Sequence, residues 1–196
     1  MNQENKTLFT YFIKNLYTEC CRHLVRLILT QEKYEIIEFK TFKISFYKDN
    51  FNEKEFVALL EKYGLGIIKN KELLIVEQIK QAVIELIYYS NNVDSIVRKS
   101  DYLVERLNMD YQKISRLFSK YEGITLEKYI LLNKIERVKE LILQNEYTLS
   151  EIAYIMDFST VQHLSATFKK ICGVKISEYK KNPEKFKKFI NNLRPL

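Results

Sequence analysis

Between Val161 and Lys170 the chain sets hydrogen-bonding side chains on a helical frame. Val161, Leu164 and Phe168 recur at the spacing of one packed face. That leaves Gln162, His163, Ser165, Ala166 and Lys169 for the other faces. Gln and His carry donors and acceptors that can meet base edges. The ammonium groups of Lys169 and Lys170 suit phosphate oxygens. Ser165 and Thr167 are weaker in that role, because small hydroxyl residues also serve packing. Covalent chemistry has less support. The sequence has no phosphate loop and no nucleophile elbow. Its two histidines, His23 and His163, lie far apart with no paired carboxylate motif. An enzyme is the least supported class, and no cofactor is implied.

The elements that position these residues can be read upstream. Thr148 with Glu151, and Ser159 with Gln162, each fit a capping box, a hydroxyl residue followed three places on by Glu or Gln. Ile152, Ala153, Ile155 and Met156 give the intervening helix an apolar face. Asp157 sits where the chain must turn, and Asp tolerates the left-handed conformation. The layout is a helix-turn-helix. A second such layout precedes it. Asp101–Leu107 is expected to be a short helix and Asn108 a turn residue. Asp110 can cap a helix with Ile114, Leu117 and Phe118 on its apolar face, ended near Gly123. Thr125 to Gln144 is expected to join the two, with Tyr129, Leu132, Ile135, Val138, Leu141 and Ile142 as its stripe. At about 1.5 Å per residue such a helix spans roughly 25–30 Å, near the roughly 34 Å between successive major-groove faces of B-DNA. Some local bending of the DNA would seat both motifs.

Residues 148–181 resemble the second helix-turn-helix of the AraC/XylS family of transcriptional regulators, through Ser150-Glu-Ile-Ala, Phe158-Ser, His163-Leu-Ser, Phe168-Lys-Lys, Gly173-Val and Ser177-Glu-Tyr-Lys. The upstream motif resembles the family's first, through Leu103, Leu107, Asp110, Ser115-Arg-Leu-Phe and Glu122-Gly. Asp157 stands where the family usually has Gly, and Ala166 where many members have Arg. The resemblance implies a sequence-specific double-stranded DNA-binding regulator, an activator, with recognition helices at about 110–121 and 160–171. It places Gln112, Ser115 and Arg116 where family members meet DNA. With Gln162, His163, Ser165, Lys169 and Lys170 they form the candidate interface. For Arg116 a surface ion pair with Glu122 or a neighbour is the competing reading. RNA polymerase and a second copy of the chain are further partners left open, and no membrane partner is expected.

Composition agrees with a polyanion partner. The net charge of the 196 residues is +7. Residues 1–90 hold 13 Lys/Arg against 12 Asp/Glu, and residues 91–196 hold 19 against 13. A basic half beside a neutral half points the basic half at nucleic acid; a solvated lysine-rich surface is the bland alternative. No apolar run approaches the roughly 20 residues that span a bilayer. The polar N-terminus has no secretory pattern. With three cysteines, a reducing cytoplasm without disulfides is expected.

Over residues 1–70 the patterns read strand, helix, strand, strand, helix, strand, the split order of ferredoxin-like domains. Cys20, Leu24, Leu27 and Ile28 give the first helix its expected apolar spacing, Asn52 caps the second and Gly64 stops it. In element order, and at Asn15–Cys21, this segment is similar to the heavy-metal-associated domain. That family presents two cysteines separated by two residues, which can grip a soft cation. Here Thr18 holds the first position, leaving Cys21 as a weak metal candidate. Adjacent Cys20 points about 100° away on a helix, and is expected to pack while Cys21 is idle. The fold class is thus α+β: a ferredoxin-like domain over 1–70, an AraC-type DNA-binding domain over 73–182, and a basic tail over 183–196. Two alternatives make the N-terminal domain a metal or redox sensor, or a module for dimerisation or partner binding. The wide apolar surface of the helix from Leu73 to Tyr89 fits packing on more than one element, or a dimer seam.

Overall fold

The computed structural model describes residues 7–88 and 99–183. The loop expected at Ser90–Asn92 and nearly all of the basic tail lie outside them. Contacts divide the chain into two compact units, Met1–Gln81 and Ala82–Leu196.

The first unit runs β1 (Leu8–Lys14), α1 (Glu19–Gln31), β2 (Glu35–Phe39), β3 (Lys43–Tyr47), α2 (Glu53–Glu61), β4 (Gly66–Ile67) and the first part of α3 (Lys71–Tyr88). The four strands form one antiparallel sheet in the order β2-β3-β1-β4. Alternation in β1 turns Phe9, Tyr11 and Ile13 to the core and leaves Leu8 and Phe12 outward. Phe46 of β3 stands opposite Phe9 in register. Its ring centroid lies 5.1 Å from that of Phe56 in α2 and 4.9 Å from that of Tyr34, edge-on. Such aromatic contacts add to burial in fixing the core.

Two features depart from the sequence expectation. The buried face of α1 is Val25, Ile28 and Leu29, with Cys21 packed beside it. Leu24 and Leu27 are each 49% exposed, and Cys20 is exposed. So Cys21, not Cys20, packs; its backbone N–H and its thiol sulfur both bond the Thr18 hydroxyl at the helix cap. The second feature is a buried carboxylate. Glu77 is 4% exposed, and its Oε2 accepts from the Asn15 backbone N–H at 2.8 Å and the Tyr17 hydroxyl at 2.7 Å. The Lys80 ammonium lies 2.9 Å from its other oxygen. A buried charge is tolerated when it is paired and hydrogen-bonded in this way. The result ties the loop after β1, where Asn15 takes φ +67°, to the start of α3.

In the second unit the end of α3 is followed by α4 (Lys99–Leu107), α5 (Tyr111–Glu122), α6 (Leu126–Gln144), α7 (Leu149–Ile155), α8 (Val161–Cys172) and α9 (Ile176–Lys181). Ile135, Val138, Leu141 and Ile142 of α6 pack with Ile152, Ala153, Met156, Leu164 and Phe168 into one core. Glu85 of α3 accepts from Arg106 of α4 at 3.0 Å. The Tyr88 hydroxyl donates to Glu140 of α6 at 2.8 Å, with the Arg137 guanidinium 5.0 Å over its ring. No described helix is long and apolar enough to cross a membrane.

Candidate nucleic-acid interface

Two helix-turn-helix motifs share the second unit, and they are built alike. In the first, Asn108 takes φ +49° at the turn and Asp110 caps α5, accepting from the N–H groups of Gln112 and Lys113. In the second, Asp157 takes φ +50° and Thr160 caps α8, accepting from the His163 N–H at 3.0 Å. Both helices end on a left-handed glycine, Gly123 at φ +68° and Gly173 at φ +75°, a conformation that costs glycine little. Thr148 and Glu151 form the expected capping box of α7. Ser159 is not the cap of α8. Its hydroxyl shares a 3.1 Å hydrogen bond with His163 Nδ1 instead. Thr160 lies one residue nearer the helix, in extended backbone, and takes the cap.

The likeness holds residue by residue at a separation of fifty positions. Gln112 and Gln162, Ser115 and Ser165, Phe118 and Phe168, Lys120 and Lys170, and Tyr129 and Tyr179 are identical pairs. Burial follows the same rhythm: Ile114 and Phe118 are buried in α5, Leu164 and Phe168 in α8. Each phenylalanine meets its tyrosine, Phe118 to Tyr129 with centroids 4.9 Å apart and Phe168 to Tyr179 at 5.5 Å. The packed face of each helix is therefore fixed by the same two positions, and the opposite face is left to solvent.

Gln112 and Arg116 are exposed on α5, and Gln162, His163, Ala166, Lys169 and Lys170 are exposed on α8. Ser115 and Ser165 are half-buried at the edge of those faces. Arg116 makes no ion pair among the described residues, so its guanidinium is not neutralised by Glu122. The His163 ring stands edge-on to Phe158 with centroids 5.4 Å apart. With Nδ1 engaged by Ser159, Nε2 is the ring nitrogen left for another partner. Two exposed cations escaped the sequence reading: Lys113, which stands in α5 where His163 stands in α8, and Lys120, which matches Lys170. The fifty-residue repeat was the signal that would have found both.

Side chains from α6 hold the two faces in place. The Tyr111 hydroxyl at the start of α5 donates to Glu127 at 2.9 Å. Burial, then that carboxylate, pushes the phenol up to about 12. At the other motif Lys134 is 8% exposed. Its ammonium donates to the Asp157 carbonyl at 3.2 Å and sits 4.9 Å over the Phe158 ring. A cation thus locks the turn between α7 and α8 from beneath. α6 has 19 residues, a span of about 28 Å.

The three cysteines stand in different settings. Cys20 is exposed, Cys21 is half-buried against the sheet core, and Cys172 is buried in the second unit. Among the described residues no group of three or more His, Cys, Asp and Glu side chains gathers around one point.

Residues 103–182 match the family model described as a helix-turn-helix domain, which covers both motifs and the helix between them. Residues 103–182 of this chain are thus a helix-turn-helix domain. Among curated proteins, the chain is 22% identical over 118 residues to the probable transcriptional regulator LumQ of Photobacterium leiognathi, covering 59% of this chain and 48% of that protein. It is 25% identical over 142 residues to the Msm operon regulatory protein of Streptococcus mutans, covering 71% of this chain and 46% of that one. The chain thus spans about half the length of the curated relatives it matches. Among solved structures, the C-terminal domain of AraT, a response regulator from Geobacillus stearothermophilus, is 25% identical with a TM-score of 0.46, over 55% of this chain and 84% of that one.

Proposed function

We propose that this chain is a sequence-specific, double-stranded DNA-binding regulator of transcription that reads two successive major-groove faces with α5 and α8. The observation that carries the reading is the pair of equivalent helices, each packed by the same two positions and each presenting a solvent-facing row of glutamine and cationic side chains. Arg116 and Gln112 approach base edges from α5, and Gln162 and His163 from α8. Lys169, Lys170 and Lys120 grip phosphates, with Ser115 and Ser165 at the margin. Ala166 occupies the position that Arg116 holds in the other motif. The first motif is therefore the stronger base reader and the second leans on phosphate. Activation, RNA polymerase as a partner and a cytoplasmic location follow from the family resemblance.

The N-terminal domain, over residues 1–70, is ferredoxin-like in this reading, supported by its element order and its β2-β3-β1-β4 sheet. It serves sensing or pairing, while residues 73–182 bind DNA and residues 183–196 form a basic tail. Selection of duplexes from a random pool at two salt concentrations tests the proposal. Two enriched blocks about one helical turn apart, surviving the higher salt, are expected. Binding with no motif that vanishes with salt would reduce the interface to charge alone.

A further inference from the structure

A shallow cleft of about 260 Å³ opens beside α1, lined by Glu19, Arg22, His23, Arg26, Phe39 and Thr41. Its chemistry is unusual for an otherwise nearly neutral first unit. Three nitrogen-bearing side chains, two of them permanently cationic, line it against one carboxylate. Arg22 donates to Glu19 through Nε and Nη2. Its Nη1 is shielded from water and has no hydrogen-bond partner. A buried, unsatisfied guanidinium nitrogen is costly, so the arginine is held with part of its donor capacity unused. Its carboxylate partner faces solvent: the Glu19 side chain is 86% exposed, while that of Arg22 is only 20% exposed. The Arg26 guanidinium lies 5.7 Å over the Phe39 ring, which sets a second planar donor in the cleft lining beside one aromatic ring.

We propose that this cleft is a binding site for a small anion bearing a carboxylate or phosphate group, which displaces Glu19 from Arg22 and is received by Arg22, Arg26 and His23. Glu19 is then an internal stand-in for the ligand. Glu19 is the solvent-facing member of this i,i+3 pair, so its carboxylate can turn out into water as an anion enters. An entering anion can take the same guanidinium donors and add those of Arg26, His23 and the Thr41 hydroxyl. Phe39 offers its ring to whatever apolar portion the anion carries. The site lies wholly within the first unit and does not rest on the DNA-binding reading.

The test is a titration of the full chain with inorganic phosphate and, separately, with succinate, at constant ionic strength set by chloride. The chain has only two histidines. The His23 ring resonances report the cleft, and those of His163 report the separate basic face of α8. Saturable movement of His23 is expected for at least one anion, with a midpoint that shifts in the cleft variants whatever His163 does; the anion that works identifies the group recognised. Arg26→Gln should weaken binding by up to about fivefold, the scale of one ion pair. Glu19→Gln should strengthen it by a similar factor, because the stand-in is gone. A merely structural Glu19 would give the opposite sign or no change. Glu19 is exposed, so the variant keeps the fold, which circular dichroism checks. Linear shifts no larger than those in chloride for both anions, or unchanged affinity in Glu19→Gln, would overturn the proposal.

Discussion

Arg116→Ala separates recognition from folding. Arg116 is exposed on the outer face of α5 and makes no ion pair among the described residues. Removing it opens no cavity and leaves no buried partner stranded. Alanine is at least as good a helix former. Thermal stability should therefore move by no more than about 0.5 kcal/mol, the range of ordinary surface substitutions. The cost falls on DNA. An arginine meeting a guanine edge contributes about 1–3 kcal/mol of discrimination, so affinity for the selected duplex should drop on the order of 5- to 150-fold. Fluorescence anisotropy across a salt series then distinguishes the kind of contact. If Arg116 reads a base, the specific affinity falls, one position of the first block relaxes and the salt slope barely changes. If it grips phosphate, all sequences weaken together and the slope falls by about 0.9. Unchanged affinity and unchanged site preference in a folded variant would refute the assignment of this face as a reader.

Other perturbations test the frame. Thr160→Ala removes the side-chain cap of α8 and should cost about 1 kcal/mol in urea unfolding, whereas Ser159→Ala should cost little and alter only the setting of His163; equal effects would return the cap to Ser159. Lys134→Met deletes a charge-assisted bond to the Asp157 carbonyl but also relieves the burial of an ammonium, so a net loss of about 1–2 kcal/mol is expected, with weakening confined to the second DNA block; a more stable variant would show that burial cost dominates. Burial pushes the Cys172 thiol from 9.0 up to about 11. Between those values the unfolded thiol ionises and the folded one does not, so Cys172 contributes stability that is fully present below pH 9 and lost as pH rises through about 11. Replacing it by Ala should flatten that part of the stability–pH curve relative to the parent. Native labelling with a thiol reagent should reach exposed Cys20 quickly and Cys172 only on unfolding; rapid labelling of Cys172 would contradict its burial.

Local chemistry was legible wherever one residue type answers one backbone demand. Asp110 and Thr148 as caps, Asn108 and Asp157 as left-handed turn residues, and Gly123 as a helix stop were all readable, because few side chains serve those positions. Reading failed where two answers were chemically equivalent. In α1 the expected stripe Cys20, Leu24, Leu27 and Ile28 and the stripe Cys21, Val25, Ile28 and Leu29 share buried Ile28 and are both apolar at helical spacing. Only packing against the sheet chooses the second. Ser159 and Thr160 are adjacent hydroxyls, and the Ser-x-x-Gln pattern favoured the wrong one. Glu77 and Lys134 gave no signal, since the pairing that makes a buried charge tolerable comes from loops distant in sequence.

The repeat within the C-terminal domain shows which positions are frame and which are free. Buried and ring-packing positions are shared between the motifs, as at Phe118 and Phe168 with Tyr129 and Tyr179. Exposed positions split into two kinds. Gln112 and Gln162, and Lys120 and Lys170, are the same residue in both helices, so they present the same chemistry to any duplex that both motifs touch. Arg116 against Ala166, and Lys113 against His163, differ, although the backbone beneath them is capped and packed in the same way. At Arg116 and Ala166 the difference fills no core, because neither position is buried, whereas His163 also braces the turn through Ser159 and Phe158. The difference changes what each helix can say to a base edge: a fixed planar cation in one motif, a methyl group beside a hydrogen-bonded imidazole in the other. Two equal readers would call for a repeated DNA block. Under the proposed function these two call for unlike blocks, the first defined by base contacts and the second chiefly by the placing of phosphates.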